Sequence, residues 1–208
     1  MISIIDYGLG NIKALLNTYK RLNIPAEKVS SCEGLGNASR LILPGVGAFD
    51  HAMTRLNNSG LREKLDELVL EKGVPILGIC VGMQMMARTS EEGVLPGLCW
   101  IEADVKKISS EARVSQYLPH MGWNDVTPLN SNILFSDLDI HARFYFLHSY
   151  FFDCKNANDA IAITEYGNEF VSAVNSKNIF GVQFHPEKSH HFGIQLLKNF
   201  ANCTDAAS

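Results

Sequence analysis

The chain has 208 residues, 46% of them hydrophobic and 19% charged, which is enough for one substantial core and short for two. A formal net charge of −4 without any Lys/Arg cluster gives no electrostatic reason to expect nucleic acid or an anionic membrane as partner. The five cysteines (Cys32, Cys80, Cys99, Cys154, Cys203) are odd in number and widely spaced with no C-x-x-C pair, which argues against a disulfide framework and a structural metal.

Residues 2–5 are an apolar run that reads as a strand. No basic flank marks them as a signal peptide and no apolar run is long enough to span a bilayer, so a cytoplasmic location is expected. After Gly8 and Gly10, apolar Ile12, Leu15, Leu16, Tyr19 and Leu22 recur at helical spacing, predicting an amphipathic helix that ends before Pro25. Residues 41–43 are a buried strand running into Pro44-Gly45-Val46-Gly47. Leu61, Leu65, Leu68 and Val69 mark a second helix, stopped at Gly73; residues 74–79 make another strand and 83–88 the helix after it. Beyond residue 100 the texture changes. Segments 100–108, 144–151, 160–164 and 170–174 are rich in aromatic and β-branched residues between turn signals, as antiparallel strands are. Residues 179–184 then lead into His185-Pro186-Glu187, and Ser189 is placed to cap a last helix carrying Phe192, Leu196, Leu197 and Phe200. Together these predict a single α/β domain over residues 1–208. Its sheet is open, mixed and mostly parallel, flanked by helices, with an antiparallel strand-rich second half.

Gly78-Ile79-Cys80-Val81-Gly82 follows one strand and opens a helix, the setting in which a nucleophile between glycines has mechanical meaning. The sharp turn would present the Cys80 sulfur at the carboxyl end of the sheet, where open α/β folds bind ligands, and a helix N-terminus favours a thiolate. The alternative is a buried, inert cysteine. A nucleophile needs a base and a group to orient it. His185 ends the last predicted strand two residues before Glu187. A residue before proline is extended, and i and i+2 side chains of extended chain share a side, so imidazole and carboxylate can meet. The glycines of "LPGVG" (43–47) would let peptide N–H groups turn inward beside the N–H of Val81 to receive an oxyanion, although the same residues also read as a plain turn. "DYGLGN" (6–11) starts like a dinucleotide fingerprint, but Lys13 occupies its third glycine position, which argues against nicotinamide binding. His190 and His191 read as surface residues of the last helix.

"GICVGMQ" (78–84) with "FHPEKS" (184–189) resembles the class I, triad-type glutamine amidotransferases. "DYGLGN", "LPGVGAF", "PHMGWN" (119–124) and "FLHSY" (146–150) are similar to the glutaminase subunits of imidazole glycerol phosphate synthases, and the likeness runs from Ile4 to Phe200. It implies Cys80 as nucleophile, His185 as acid and base, and Glu187 as the orienting carboxylate. It implies Val46, Gly47 and Val81 at the anion site, with a peptide rotation near Val46. Gly45, Gln84, His148, Ser149 and Tyr150 would hold the amino-acid end of glutamine. Asn11, Met121, Trp123 and Asn124 would meet a (β/α)8 synthase partner that uses the ammonia in histidine biosynthesis; no cofactor is implied. Val81 stands where these subunits more often have leucine. "GLCWIEADVKKI" (97–108) and "VQFHPEKSHHFGIQLLKNF" (182–200) look closer to a paralogous branch supplying ammonia for amidation of surface-polysaccharide sugars. Two rivals come from other classes. A cysteine hydrolase of the α/β-hydrolase type normally has its acid before its histidine, the reverse of the order here. A non-catalytic regulatory subunit would not need all three of Cys80, His185 and Glu187.

Overall fold

A computed structural model describes residues 1–108 and 117–203. The first half builds the parallel block: β1 (Ile2–Ile5), α1 (Ile12–Arg21), β2 (Ala26–Val29), β3 (Arg40–Gly45), α2 (Phe49–Asn58), α3 (Arg62–Asp66), β4 (Ile76–Cys80) and α4 (Val81–Gln84). The second half follows with β5 (Thr89–Ser90), β6 (Ala103–Lys107), β7 (His120–Asp125), β8 (Thr127–Pro128), β9 (Arg143–His148), β10 (Tyr150–Cys154), β11 (Ala160–Tyr166), β12 (Asn168–Ser176), β13 (Ile179–Val182) and α5 (His190–Asn202).

The main sheet runs β2-β1-β3-β4-β13-β12-β10-β6-β5, with β11 on β12 and β8 on β11. From β2 to β13 every pair is parallel, while β13, β12, β10 and β6 pair antiparallel in turn. This is the expected mixed architecture. All residues of β1, β4 and β13 are buried, as befits central strands covered on both faces. The helix α1 covers the sheet with Leu15 and Tyr19 and stops at Leu22, after which Asn23 takes a left-handed φ of 55° ahead of Pro25.

Several sequence expectations change. The helix expected over 83–88 is one turn, 81–84. The carbonyls of Met85, Met86 and Ala87, which a longer helix would need, instead accept from the N–H groups of Leu98, Trp100, Ile101 and Cys99. The strand expected over 144–151 breaks at Ser149, because β9 belongs to a separate two-stranded ribbon with β7 whereas β10 joins the main sheet. The second helix ends as α-helix at Asp66 and continues as a π-turn over Glu67–Glu71. Ser189 precedes α5 but makes no side-chain cap; its hydroxyl donates to the His185 carbonyl (2.6 Å) and accepts from Tyr145 N–H (3.0 Å).

Candidate active site

Three adjacent parallel strands end at one place. In register, Gly45 of β3 stands beside Cys80 of β4, and Ile79 beside Val182 of β13, so the Val46–Gly47 turn, Cys80 and the 183–187 segment emerge side by side. Cys80 sits between strand and helix with φ 55° and ψ −114°, a conformation that costs about 1–3 kcal/mol and persists only when its surroundings enforce it. Neighbouring glycines permit that enforcement. A Cβ on Gly82 would lie 1.9 Å from the Leu43 carbonyl oxygen, and one on Gly45 would lie 2.4 Å from the Gly82 nitrogen. The turn thus closes backbone to backbone, and Gly45, which the resemblance placed at the amino-acid end of glutamine, packs against this turn and is not among the residues lining the cavity.

His185 is 3% exposed, and its Nδ1 is 3.0 Å from Glu187 Oε1, whose side chain is equally buried. The backbone of His185 is tied to the ribbon: its main-chain N–H donates to Tyr145 O (2.9 Å), and the Ser189 hydroxyl bridges the two segments. Burial alone would lower the His185 pKa. Hydrogen bonds to Cys80 and Glu187, and the negative charge each can carry, outweigh it and raise the value to about 10. A carboxylate on Nδ1 leaves Nε2 for the sulfur side.

Val46, Gly47, Cys80, Val81, Gln84, His148, Ser149, Tyr150 and His185 all line one cavity of about 300 Å³, the small end of ligand pockets. Its size and mixed lining suit a single small polar molecule. The structure adds several wall and support residues to the set expected from sequence. Glu92 lines the cavity and accepts from Phe49 N–H at the start of α2 (2.9 Å); it supplies a carboxylate where a ligand ammonium could sit. Tyr7, buried, donates to Pro44 O at 2.8 Å and so braces the loop carrying Val46; burial, reinforced by Cys80, raises its pKa. Gln183, buried, lies behind the sulfur. Of these, only Gln183 had a local signal, its i, i+2 spacing from His185.

His148 is held by a directed chain. The Tyr150 carbonyl can only accept, so His148 Nδ1 (2.8 Å) carries the proton; His148 Nε2 then accepts from His120 Nδ1 (3.0 Å), and His120 Nε2 from Asn124 Nδ2 (3.2 Å). Burial lowers both histidines, His120 to about 4 and His148 to about 3, and keeps them neutral. Met121, Trp123 and Asn124 lie on β7 and line a second cavity of about 590 Å³ with His120. Met121 is 66% and Trp123 38% exposed, and Trp123 stacks on His190 (ring centroids 5.1 Å apart). Asn11, exposed at the start of α1, is not part of that cavity. Among the described residues no cluster of three metal-ligating side chains occurs and no helix is long and apolar enough to cross a membrane.

Comparison with known proteins identifies the family. Residues 3–203 match the family model "Glutamine amidotransferase class-I". The imidazole glycerol phosphate synthase subunit HisH of Bdellovibrio bacteriovorus is 57% identical over 97% of this chain and 99% of its own. Subunit HisH 2 of Pseudomonas aeruginosa is 48% identical over 96% of this chain and 98% of its own. The structure of PurLQS from Thermotoga maritima shares the fold, with a TM-score of 0.72, 16% identity and 97% coverage of both chains. The chain belongs to the class I glutamine amidotransferase family, with imidazole glycerol phosphate synthase HisH subunits among its relatives.

Proposed function

We propose that the chain works as one class I amidotransferase domain, the cytoplasmic glutaminase subunit of an imidazole glycerol phosphate synthase. It hydrolyses glutamine to glutamate and ammonia and passes the ammonia to a (β/α)8 partner in histidine biosynthesis. One observation carries the reading: a cysteine on a strained strand-to-helix turn shares a small cavity with a histidine whose Nδ1 is held at 3.0 Å by a buried glutamate.

The chemistry follows from the residues. The Cys80 thiolate adds to the side-chain amide carbon of glutamine, and main-chain N–H groups of Val81 and of the Val46–Gly47 turn receive the oxyanion. His185 gives its proton to the departing nitrogen, ammonia leaves, and a thioester remains on Cys80. Water, deprotonated by His185, cleaves the thioester to release glutamate, while Glu187 keeps the imidazole in one tautomer. Gln84, Ser149, Tyr150 and the neutral His148 form the wall for the amino-acid end, with the Glu92 carboxylate opposite its ammonium. Ammonia released into water is protonated and no longer a nucleophile, so it needs a dry route to an acceptor site. The exposed Met121 and Trp123 on the ribbon that also forms the cavity wall suit the docking face of that partner.

The decisive measurement is glutamate release by the chain, alone and with the barrel plus its acceptor ligand. Cys80→Ala should abolish glutamine-dependent synthesis and spare ammonia-dependent synthesis by the complex; equal loss of both would refute the division of labour. A second reading concerns the acceptor alone. The likeness of residues 97–108 and 182–200 to the glycan-amidating branch favours a sugar-modifying partner, and stimulation by that partner in place of the histidine-pathway barrel would decide for it.

A further inference from the structure

We propose that the carboxamide of Gln183 is a fixed hydrogen-bond donor to the Cys80 thiolate, a further catalytic residue that supports the nucleophile from the buried side of the elbow. The proposal deepens the glutaminase reading and rests on it for its link to turnover.

Gln183 is fully buried, one residue past β13 and beside the strand that ends in Cys80. Burying a primary amide costs free energy unless its polar atoms find partners, so what its two ends touch is informative. One end lies 3.7 Å from Cys80 Sγ, a reach typical for a sulfur acceptor with its diffuse lone pairs, and the other lies 2.9 Å from Gln84. Which end is nitrogen follows from the neighbours. The Tyr150 carbonyl can only accept, so the Gln84 group 3.1 Å from it is the NH₂. That NH₂ also faces Gln183, which must therefore present its oxygen to Gln84 and its own NH₂ to the sulfur. The chain Tyr150 O, Gln84, Gln183, Cys80 has one consistent direction, and it ends in a donor aimed at the nucleophile.

A donor in that place acts on one protonation state. It stabilises the thiolate and gains less from the thiol. The Leu147 carbonyl, 4.0 Å from the same sulfur, does the opposite, since it can only accept from S–H. Gln183 thus opposes a backbone group that favours the unreactive form. Beyond β13 the chain bends at Gln183 and enters a 3-10 turn over Pro186–Lys188, so donor, acid–base group and orienting carboxylate follow one another on a single bent segment, not on the extended chain that the sequence suggests.

The test is iodoacetamide alkylation, which reads the thiolate directly and needs no glutamine, mapped to the Cys80 peptide because Cys32 and Cys99 are exposed whereas Cys80 is buried and reached only through the cavity it lines. Loss of a hydrogen bond to a charged acceptor should make Gln183→Leu react about tenfold more slowly at neutral pH, the difference vanishing in alkali where the thiol ionises regardless. In the complex kcat should fall by a similar factor with KM little changed. Gln183→Glu keeps the shape and the acceptor for Gln84 but removes the donor; it should also be slowed, and it serves where the leucine variant does not fold. A folded variant alkylated at the wild-type rate across the whole pH range overturns the assignment. A wild-type chain that alkylates normally but never releases glutamate with its partner condemns the glutaminase reading and leaves the donor in place.

Discussion

Replacing Gly193 by alanine sets two effects of opposite sign against each other. Gly193 lies in the first turns of α5, where alanine is the better helix former by about 1 kcal/mol. The added Cβ, however, would stand 1.8 Å from the carbonyl oxygen of Pro186, whereas ordinary contact begins at 3.4 Å. Backbone cannot swing aside as a lysine tip can, so the 185–188 segment or the helix must shift by more than an ångström. Overpacking of that kind costs about 1–3 kcal/mol, which exceeds the helix gain. The segment that moves carries His185 and Glu187, and a displacement of about 1 Å at such a site can cost on the order of 10²-fold in rate. Gly193→Ala should therefore lower the melting temperature by a few degrees, at roughly 2–4 °C per kcal/mol for a chain of this size, and reduce kcat for glutamate release far more than KM. Thermal unfolding and a coupled glutamate assay on the same preparation check both. An alanine variant more stable than wild type with undiminished kcat would refute the packing argument.

Stability should fall on both sides of neutrality for different reasons. His120 and His148 are held to about 4 and about 3 when folded, below their unfolded value near 6.5, so the unfolded chain binds more protons and stability is lost as the pH falls below about 6.5, by up to ~1.4 kcal/mol per pH unit for each. His185 is raised to about 10, so its contribution is complete below about 6.5 and disappears as the pH climbs toward 10. Urea unfolding at pH 5, 7 and 9 tests this; the carboxylates held near 2, Glu67 and Asp104, do not contribute to the change between 5 and 7. A flat profile from 7 to 5 would contradict the neutral histidine chain. At the ribbon face, Trp123→Ala should weaken binding of the barrel by at least about 2 kcal/mol, a Kd increase of roughly thirtyfold by calorimetry, because a half-exposed Trp on a stacked histidine has the features of an interface anchor. An unchanged Kd would move the docking face elsewhere.

How much of this was readable beforehand depended on whether the signal was local. The parallel block was legible because its strands are continuous apolar runs, and α1 because its apolar residues keep helical spacing. The helix α2 carries the same spacing in Phe49, Ala52, Met53 and Leu56, all buried, but begins directly behind the glycine turn, whose loop signal masks it. By contrast β2, with Glu27 and Lys28 in four residues at the sheet edge, has no apolar pattern to find. In β7 alternation is present but inverted, with His120 buried and Met121 exposed, so hydropathy points the wrong way. Cys80, His185 and Glu187 were legible as candidates because each sits on or beside a local device, an elbow between glycines or a pre-proline step. Tyr7, Glu92 and Gln183 act through partners 37, 43 and 103 residues away in the chain, and no window of sequence contains both ends of such a bond.

On the proposed roles, the electrostatics of His185 would also order the two halves of the reaction. At about 10 the imidazole is protonated at neutral pH, which suits an acid for a departing amine and is wrong for a base that must activate water. Hydrogen bonding and charge from Cys80 come ahead of those from Glu187 among the causes that raise it. Acylation turns that sulfur into a neutral thioester, while His185 has just spent its proton on ammonia. What remains is an imidazole with burial pulling its pKa down and Glu187 alone holding it up, and so a base. In the proposed mechanism the nucleophile would thus set the protonation of its own partner, acid before the bond breaks and base after.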